Sequence, residues 1–217
     1  MVCISKFHPA TTILEAYQAG ERDFGESRVQ ELIPKYEALP KDIRWHFIGH
    51  LQTNKVKQIL PFIHLIHSVD NVRLLETINK EAEKIQRKIQ VLLEVHVAKE
   101  ETKSGFTPQE LEQLFIQYPH FSAHYPWIEV CGIMGMATNT DDEQEIRRCF
   151  RMIKSLAHTC FSRDHFDTTP KGCRRNTEGI VSMGMSDDYQ IAIEEGSTMV
   201  RIGSAIFGER VPFKESD

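Results

Sequence analysis

The sequence predicts a single-domain (β/α)8 barrel, also called a TIM barrel, and three observations lead to this prediction. Short apolar runs typical of strands alternate with segments of helical periodicity eight times along the 217 residues. Each unit takes about 27 residues, which is near the repeat of a barrel whose whole fold is typically about 250 residues. An open doubly wound sheet usually carries a glycine-rich loop after its first strand, and Ser5-Lys6-Phe7-His8 contains no glycine.

The first half of the chain contains four predicted strands, each followed by a helix. Proline or glycine marks several of the boundaries, as at Pro9 and Gly20. Ser27 is expected to cap the second helix, and Pro34 falls in the middle of that helix. The predicted strands are 2–6, 23–26, 44–49 and 65–69, and the helices are 10–20, 27–36, 53–60 and 71 to about 87.

The second half of the chain repeats this alternation. The predicted strands are 91–97, 128–134, 180–183 and 199–202. Thr107-Pro108 begins one helix, residue 140 or 141 opens a long one, and Ser186 is expected to cap a helix that ends at Gly196. After the last strand there is room for one helical turn. The polar segment from about residue 162 to 179 is expected to be an exposed loop insertion.

The composition argues against several classes of protein. With 41% hydrophobic and 26% charged residues, the chain has an ordinary globular composition. The net charge of -5 gives no global footprint for nucleic acid or an anionic membrane, and no apolar stretch approaches the roughly 20 residues that span a bilayer. No secretory signal is present, so we expect a cytoplasmic protein. Five widely spaced cysteines without a C-x-x-C pair predict free thiols.

Lys6 is the first candidate functional residue, because it stands at the carboxyl end of a predicted buried strand. An unpaired buried ammonium is costly, so one interpretation is that the side chain escapes to solvent. The other is that its amine is held in a cleft, where it forms an imine with a carbonyl group. The residues that meet Lys6 in a closed barrel decide between the two.

Two loops of small residues follow the strands closest to Lys6. Residues 182–186 (Ser-Met-Gly-Met-Ser) come after strand seven, and residues 203–208 (Gly-Ser-Ala-Ile-Phe-Gly) come after strand eight. These are the usual phosphate positions of a (β/α)8 barrel, because glycines admit a close approach and amides at a helix start bind anions. Strands one and eight are adjacent in a closed barrel, so Lys6 and both loops form one predicted site.

A lysine beside a phosphate site suggests pyridoxal 5′-phosphate (PLP), which is held by an imine through its aldehyde and by amides and hydroxyls at its phosphate. Arg201 interrupts the apolar eighth strand. It is either a solvated or salt-bridged arginine or a partner of the pyridine nitrogen, and alternation along the strand does not decide between these. In the second case it keeps that nitrogen unprotonated and weakens the ring as an electron sink.

Histidines are the other candidates for chemistry. His46 with His50, or His64 with His67, would supply two metal ligands each. No carboxylate motif surrounds either pair, and a spacing of four on a strand places two side chains on one side only loosely. Packing or surface positions are therefore favoured, and no metal site is predicted.

Seven segments form a more specific pattern. They are residues 2–6, 24–31 (FGESRVQE), 45–55 (WHFIGHLQTNK), 103–106 (KSGF), 132–136 (GIMGM), 182–187 and 201–208 (RIGSAIFG). In this order they resemble the motifs of the pyridoxal phosphate homeostasis proteins, which are similar to the N-terminal barrel of alanine racemase standing alone. The resemblance covers nearly the whole chain. It implies a fold-type III PLP-binding barrel, with the cofactor held covalently as an imine on Lys6.

The resemblance also implies which residues bind the cofactor. It places Arg201 at the ring nitrogen, and it gives the phosphate contacts to Ser182, Ser186, Gly203 and Ser204 in the two small-residue loops. The implied cofactor-binding residues are Lys6, Ser27, Ser182, Met183, Ser186, Arg201, Gly203 and Ser204. Ser27 departs from the family pattern, because many relatives have asparagine at this position. Relatives also carry a helical segment before the first strand, and we expect this helix to be absent here.

Two functions remain as alternatives. The first is a protein of intracellular PLP homeostasis and amino-acid balance, since family members are regarded as carriers or regulators without an established catalytic activity. PLP-dependent apo-enzymes are candidate recipients, and a monomer or weak dimer is expected.

The second function is that of a PLP-dependent amino-acid racemase. Racemisation needs acid/base groups on both faces of the substrate. Lys6 serves one face, and in alanine racemase the other face is served by a tyrosine from a second domain. The residues after the eighth unit leave no room for such a domain, so we expect no efficient catalysis.

Overall fold

A computed structural model of the chain describes residues 1–99, 104–118, 120–162 and 179–208, which form an eight-stranded parallel sheet surrounded by helices. The strands are β1 (Val2–Ile4), β2 (Asp23–Glu26), β3 (Arg44–Phe47), β4 (Leu65–Val69), β5 (Ile89–Val95), β6 (Ile128–Gly135), β7 (Ile180–Ser182) and β8 (Arg201–Ile202). The helices are α1 (Ala10–Gln18), α2 (Val29–Ala38), α3 (Val56–Ile59), α4 (Val72–Lys84), α5 (Pro108–Gln117), α6 (Phe121–His124), α7 (Glu143–Ser162), α8 (Tyr189–Glu194) and α9 (Ser204–Phe207). A 3-10 turn, Thr53–Lys55, precedes α3.

The sheet closes on itself into a barrel. The strands are hydrogen-bonded in the order β7-β6-β5-β4-β3-β2-β1-β8, so β8 returns to pair with β1. The remaining seam joins β7 to the segment that enters β8. There Ser182 and Met199 form a bridge, and the Arg201 amide donates to the Gly184 carbonyl at 2.9 Å. The predicted (β/α)8 barrel is therefore confirmed.

The strands lie within about two residues of their predicted positions, whereas two predicted helix caps are wrong. Ser27 does not cap α2, because Arg28 occupies the N-cap position, and the Arg28 side chain makes no capping hydrogen bond. Ser186 does not cap α8, which begins after Asp188. The Ser186 hydroxyl instead accepts a hydrogen bond from the loop after β8. Helix α2 continues through Pro34. Proline has no N–H to donate to the carbonyl of Gln30, and both residues are exposed, so water can reach this carbonyl.

The predicted loop insertion and the cysteines are the next expectations to compare with the structure. The predicted loop insertion at 162–179 lies almost entirely on residues 163–178, which are outside the described residues, and so does Cys173. The cysteines within the described ranges are buried and form no disulfide, as expected: Cys3, Cys131, Cys149 and Cys160. Across those same ranges, no helix combines the length and apolar character needed to cross a bilayer.

The interior is layered because side chains of a strand alternate between the helices and the inside of the barrel. The larger apolar layer lies between sheet and helices and includes Trp45 and Phe150. A smaller apolar cluster is formed by Leu65, Leu92, Cys131 and Met134. Polar side chains are buried as well, and the ones that matter below are His46, His67, Ser182 and Arg201. Each buried polar group needs a partner, and these partners position the candidate site.

The tight contact between β6 and β7 leads to a stability prediction. A Cβ added at Gly132 would lie 1.9 Å from the Ile180 carbonyl oxygen, so backbone atoms would have to separate. A Cβ at Gly135, on the same strand, would meet the flexible Ile153 side chain at 2.5 Å. We expect Gly132→Ala to lower the free energy of unfolding by about 3 kcal/mol and Gly135→Ala by about 1 kcal/mol in urea denaturation. Equal losses in the two variants would contradict the strand pairing.

Candidate functional site

A cleft of about 180 Å³ opens where β1 and β8 end, at the carboxyl edge of the barrel. Five of the eight predicted site residues line it: Lys6, Ser186, Arg201, Gly203 and Ser204. His8 and Asp187 line it as well and were not predicted. Their signal in the sequence is proximity alone, since one lies two residues after Lys6 and the other directly follows Ser186.

The backbone turns sharply just after Lys6. Phe7 has a φ of 68°, in the left-handed region that residues other than glycine rarely adopt. The Phe7 amide donates to the Glu31 carboxylate at 3.0 Å, and the Arg28 guanidinium lies 5.1 Å from the centroid of the Phe7 ring. Contacts from the start of α2 therefore hold this conformation and keep Lys6 half-buried at the cleft.

A buried salt bridge supports the end of β1 from the helix side of the sheet. Lys35 Nζ donates to Glu26 Oε1 at 2.6 Å and to the Ser5 carbonyl at 3.0 Å. The Ser5 hydroxyl donates to the same Glu26 oxygen at 2.6 Å. Burial raises the pKa of Glu26, although Lys35 and Ser5 oppose the shift. Sequence reasoning missed Lys35, whose signal is its i, i+4 spacing from Glu31 on α2.

Arg201 faces the interior of the barrel, a question that alternation along β8 left open. It is buried, with 4% of its surface exposed. Its Nη1 donates to the carbonyl and hydroxyl oxygens of Ser182, both at 2.8 Å, and its Nη2 donates to the Gly135 carbonyl at 3.2 Å. Burial lowers the pKa of Arg201 to about 10, while Glu94 and Asp188 oppose the shift. The guanidinium is thus charged at neutral pH, and these bonds engage three of its five N–H groups.

The loops after β7 and β8 are joined at the mouth of the cleft. Ser186 Oγ accepts hydrogen bonds from the amides of Gly203 at 3.2 Å and Ala205 at 3.4 Å. Gly184 lets the loop that carries Ser186 turn and pack against α8, because its φ of 95° lies in the left-handed region and a Cβ there would lie 2.5 Å from Ala192. Both hydrogen bonds are long, and the two amides share one neutral acceptor. A phosphate oxygen is a stronger acceptor and would form shorter, stronger bonds with the same amides.

The other three predicted site residues lie outside the lining of this cleft. Ser27 lines a neighbouring cleft of about 460 Å³ together with Lys55. Met183 is fully buried in the layer between sheet and helices. Ser182 is also fully buried, and its carbonyl and hydroxyl oxygens both hold the Arg201 guanidinium. Ser182 thus supports the cleft from behind Arg201.

A chain of hydrogen bonds, which we call the interior chain, runs from Ser182 through the barrel by way of His67 and His46 to Asp23. His67 Nδ1 lies 3.2 Å from Ser182 Oγ, and His67 Nε2 lies 2.9 Å from His46 Nδ1. At the far end, His46 Nε2 lies 3.1 Å from Asp23 Oδ1. Burial lowers the pKa of both histidines, so both are neutral at pH 7.

The proton positions along the interior chain follow from its ends. Although burial alone would raise the pKa of Asp23, hydrogen bonds from Arg44 and His46 lower it well below its usual range. The carboxylate therefore accepts from His46 Nε2, and the other nitrogen of this neutral ring accepts from His67 Nε2. By the same rule His67 Nδ1 accepts from the Ser182 hydroxyl. The lone pairs of Ser182 Oγ then remain for the guanidinium, which can only donate.

Comparison with known proteins shows the family of this chain. Residues 3–211 match the family model described as alanine racemase, N-terminal domain. The pyridoxal phosphate homeostasis protein of Aquifex aeolicus is 41% identical over 207 residues, which cover 95% of this chain and 85% of that protein. The pyridoxal phosphate homeostasis protein of Schizosaccharomyces pombe is 34% identical over 223 residues, which cover 100% of this chain and 86% of that protein.

A solved structure leads to the same family. PipY of Synechococcus elongatus, in the structure with PLP bound, is 32% identical and superimposes with a TM-score of 0.80. The superposition covers 95% of this chain and 91% of that chain. The chain therefore belongs to the pyridoxal phosphate homeostasis protein family, whose fold is that of the alanine racemase N-terminal domain.

Proposed function

We propose that this chain binds PLP in the cleft at the ends of β1 and β8, holds it covalently as an imine on Lys6, and serves PLP homeostasis. One observation carries the proposal: three groups that suit PLP line the same cleft. They are the amine of Lys6, the buried guanidinium of Arg201 and the loop of Ser186, whose amides and hydroxyls can bind an anion. The PLP-bound structure of PipY supports it, because the two proteins share this fold at 32% identity.

The donors at the cleft fit a phosphorylated aldehyde. We assign the phosphate to the hydroxyls of Ser186 and Ser204 and to the amides of Gly203 and Ala205. Because both amides already donate to the Ser186 hydroxyl, their positions need little change to donate to an anionic oxygen. The phosphate contacts are therefore independent of Lys6.

Arg201 is the residue that we assign to the pyridine nitrogen. When bound, PLP supplies an aldehyde carbon that reacts with amines and a pyridine ring that accepts electrons. A guanidinium stays charged and only donates hydrogen bonds, so the nitrogen beside Arg201 has to accept one and stay unprotonated. The ring is then a weak electron sink, and the site favours holding the cofactor over transforming amino acids.

The remaining predicted residues take supporting positions in this proposal. Ser182 holds Arg201, and Met183 anchors the loop that carries Ser186 in the core. Ser27 faces the adjoining cleft, where it lies close to the start of α2. We propose PLP-dependent apo-enzymes as the recipients of the cofactor, the cytoplasm as the location, and a monomer or weak dimer as the assembly.

Reduction with borohydride tests the assignment of Lys6. Peptide mass mapping of the reduced, PLP-loaded protein is expected to place the adduct on Lys6. Lys6→Ala should abolish the adduct and weaken PLP binding about tenfold or more, because the covalent bond is lost while the phosphate donors remain. Lys55→Ala removes the lysine of the neighbouring cleft and should change neither result. An adduct found only on Lys55 or Lys103 would contradict the assignment.

Substitution of Ser186 tests the phosphate contact separately from the imine. Because a hydrogen bond contributes about 1 kcal/mol, Ser186→Ala should bind PLP roughly fivefold more weakly and phosphate-free pyridoxal with unchanged affinity. The native protein should bind PLP at least about 100-fold more tightly than pyridoxal in equilibrium dialysis, since charge-assisted bonds to the phosphate are lost with pyridoxal. Equal affinities for the two compounds would mean that these donors do not hold the phosphate.

A further inference from the structure

The interior chain ends in a second group of candidate ligands, at the end of the barrel opposite to the cleft. Asp23 is the first residue of β2, His46 lies on β3, and His64 immediately precedes β4. Each offers one ligand atom, and these atoms all lie within 4.8 Å of one another. We propose that Asp23, His46 and His64 bind a divalent first-row transition metal ion, for which Zn²⁺ is the best match.

The ligand set is the reason for choosing Zn²⁺. Imidazole nitrogens and a carboxylate oxygen are its usual ligands together with thiolates, and three protein ligands leave the fourth tetrahedral position open to water. Asp23 Oδ1 and His46 Nε2 are 3.1 Å apart, near the roughly 3.3 Å that separates two ligands bound tetrahedrally at about 2.0 Å. His64 is exposed, so it is free to close the remaining distance, and the ion can enter from its side.

His46 is already oriented for ligation by a residue behind it. A metal-bound histidine usually donates its second ring N–H to a fixed acceptor, which sets its tautomer and raises its affinity. Here His67 occupies that position, because its Nε2 lies 2.9 Å from His46 Nδ1 and its side chain is fully buried. Without the ion His67 is the donor in this pair, and it becomes the acceptor when its own proton moves to Nδ1. A buried partner therefore fixes the orientation of His46, which two histidines in contact at a surface would lack.

Arg44 competes with the ion for Asp23. Its Nε lies 2.6 Å from Asp23 Oδ1 and its Nη2 lies 2.5 Å from Oδ2. The Arg44 side chain is 48% exposed, so it can give up Oδ1 and keep its bond to Oδ2. A positive charge beside the ion lowers the affinity of the site. Removing that charge should therefore strengthen metal binding. If Arg44 and Asp23 formed only a structural salt bridge, removing Arg44 would not be expected to create or strengthen metal binding.

Metal binding also reverses the donor and acceptor roles along the interior chain. Ligation through His46 Nε2 moves the ring proton to Nδ1, which then donates to His67 Nε2. His67 in turn carries its proton on Nδ1 and donates to Ser182 Oγ, so the Ser182 hydrogen has to turn away from His67. The number of protons is unchanged. The ion thus affects the residue that holds Arg201, at the other end of the barrel.

The test is a metal titration of the full chain after removal of metals with a chelator. Co²⁺ serves as the spectroscopic probe and Zn²⁺ as the ligand in calorimetry. We expect one ion per chain and visible ligand-field bands of Co²⁺ without a thiolate charge-transfer band. His64→Ala and Asp23→Asn should weaken binding about tenfold or more, and Arg44→Gln should tighten it. Circular dichroism of each variant checks that it is folded.

The matched control is His50→Ala, which should leave binding unchanged. His50 is also an exposed histidine within 3.1 Å of an aspartate, Asp70, but it lies at the carboxyl end of the barrel. Ring nitrogen NMR with 15N-labelled histidine should show His46 and His67 changing from Nε2–H to Nδ1–H when Zn²⁺ is added. Absence of binding, binding that survives His64→Ala and Asp23→Asn, a thiolate band, or unchanged tautomers would each overturn the proposal.

Discussion

The buried guanidinium of Arg201 is the constraint on which the candidate site and the closure of the barrel both depend. A charge with so little contact with water is stable only where fixed acceptors replace the water. The acceptors are the Gly135 carbonyl at the end of β6 and both oxygens of Ser182 at the end of β7. Arg201 therefore ties β8 to β6 and β7 across the closing seam, and the same bonds fix the floor of the cleft.

The polar interior follows from that constraint. The Ser182 hydroxyl has to orient its lone pairs toward Arg201, so its hydrogen needs an acceptor, and His67 supplies one. His67 in turn needs a partner, and the sequence of partners ends only at Asp23, where the barrel meets solvent and Arg44. A second buried charge, Lys35, holds the end of β1 on the outer side of the sheet. Lys6 thus lies in the turn directly after a strand that is fixed from both sides.

The sequence predicted the barrel and most of its strands because alternation and turn residues are local signals, and it placed Lys6 and the two loops because a closed barrel brings those strand ends together. The prediction failed where a serine hydroxyl forms hydrogen bonds with residues distant in the sequence and does not cap the neighbouring helix. Ser186 resembles a helix cap, yet its hydroxyl bonds to amides 17 and 19 residues away. The contact between His67 and Ser182 spans 115 residues and depends on the register of several strands, including a register shift between β4 and β5. One sequence contains no signal for such a contact.

The protonation state of the pyridine nitrogen of bound PLP is the measurement that bears most directly on the role of Arg201. The ring nitrogen of 15N-labelled PLP, bound to the native protein, reports its protonation through its NMR chemical shift. Because the pKa of Arg201 is about 10, its guanidinium remains a donor at neutral pH, and we predict an unprotonated nitrogen there. A protonated pyridine nitrogen at neutral pH would contradict the assignment of Arg201 to the ring and the view that this site holds PLP without activating it.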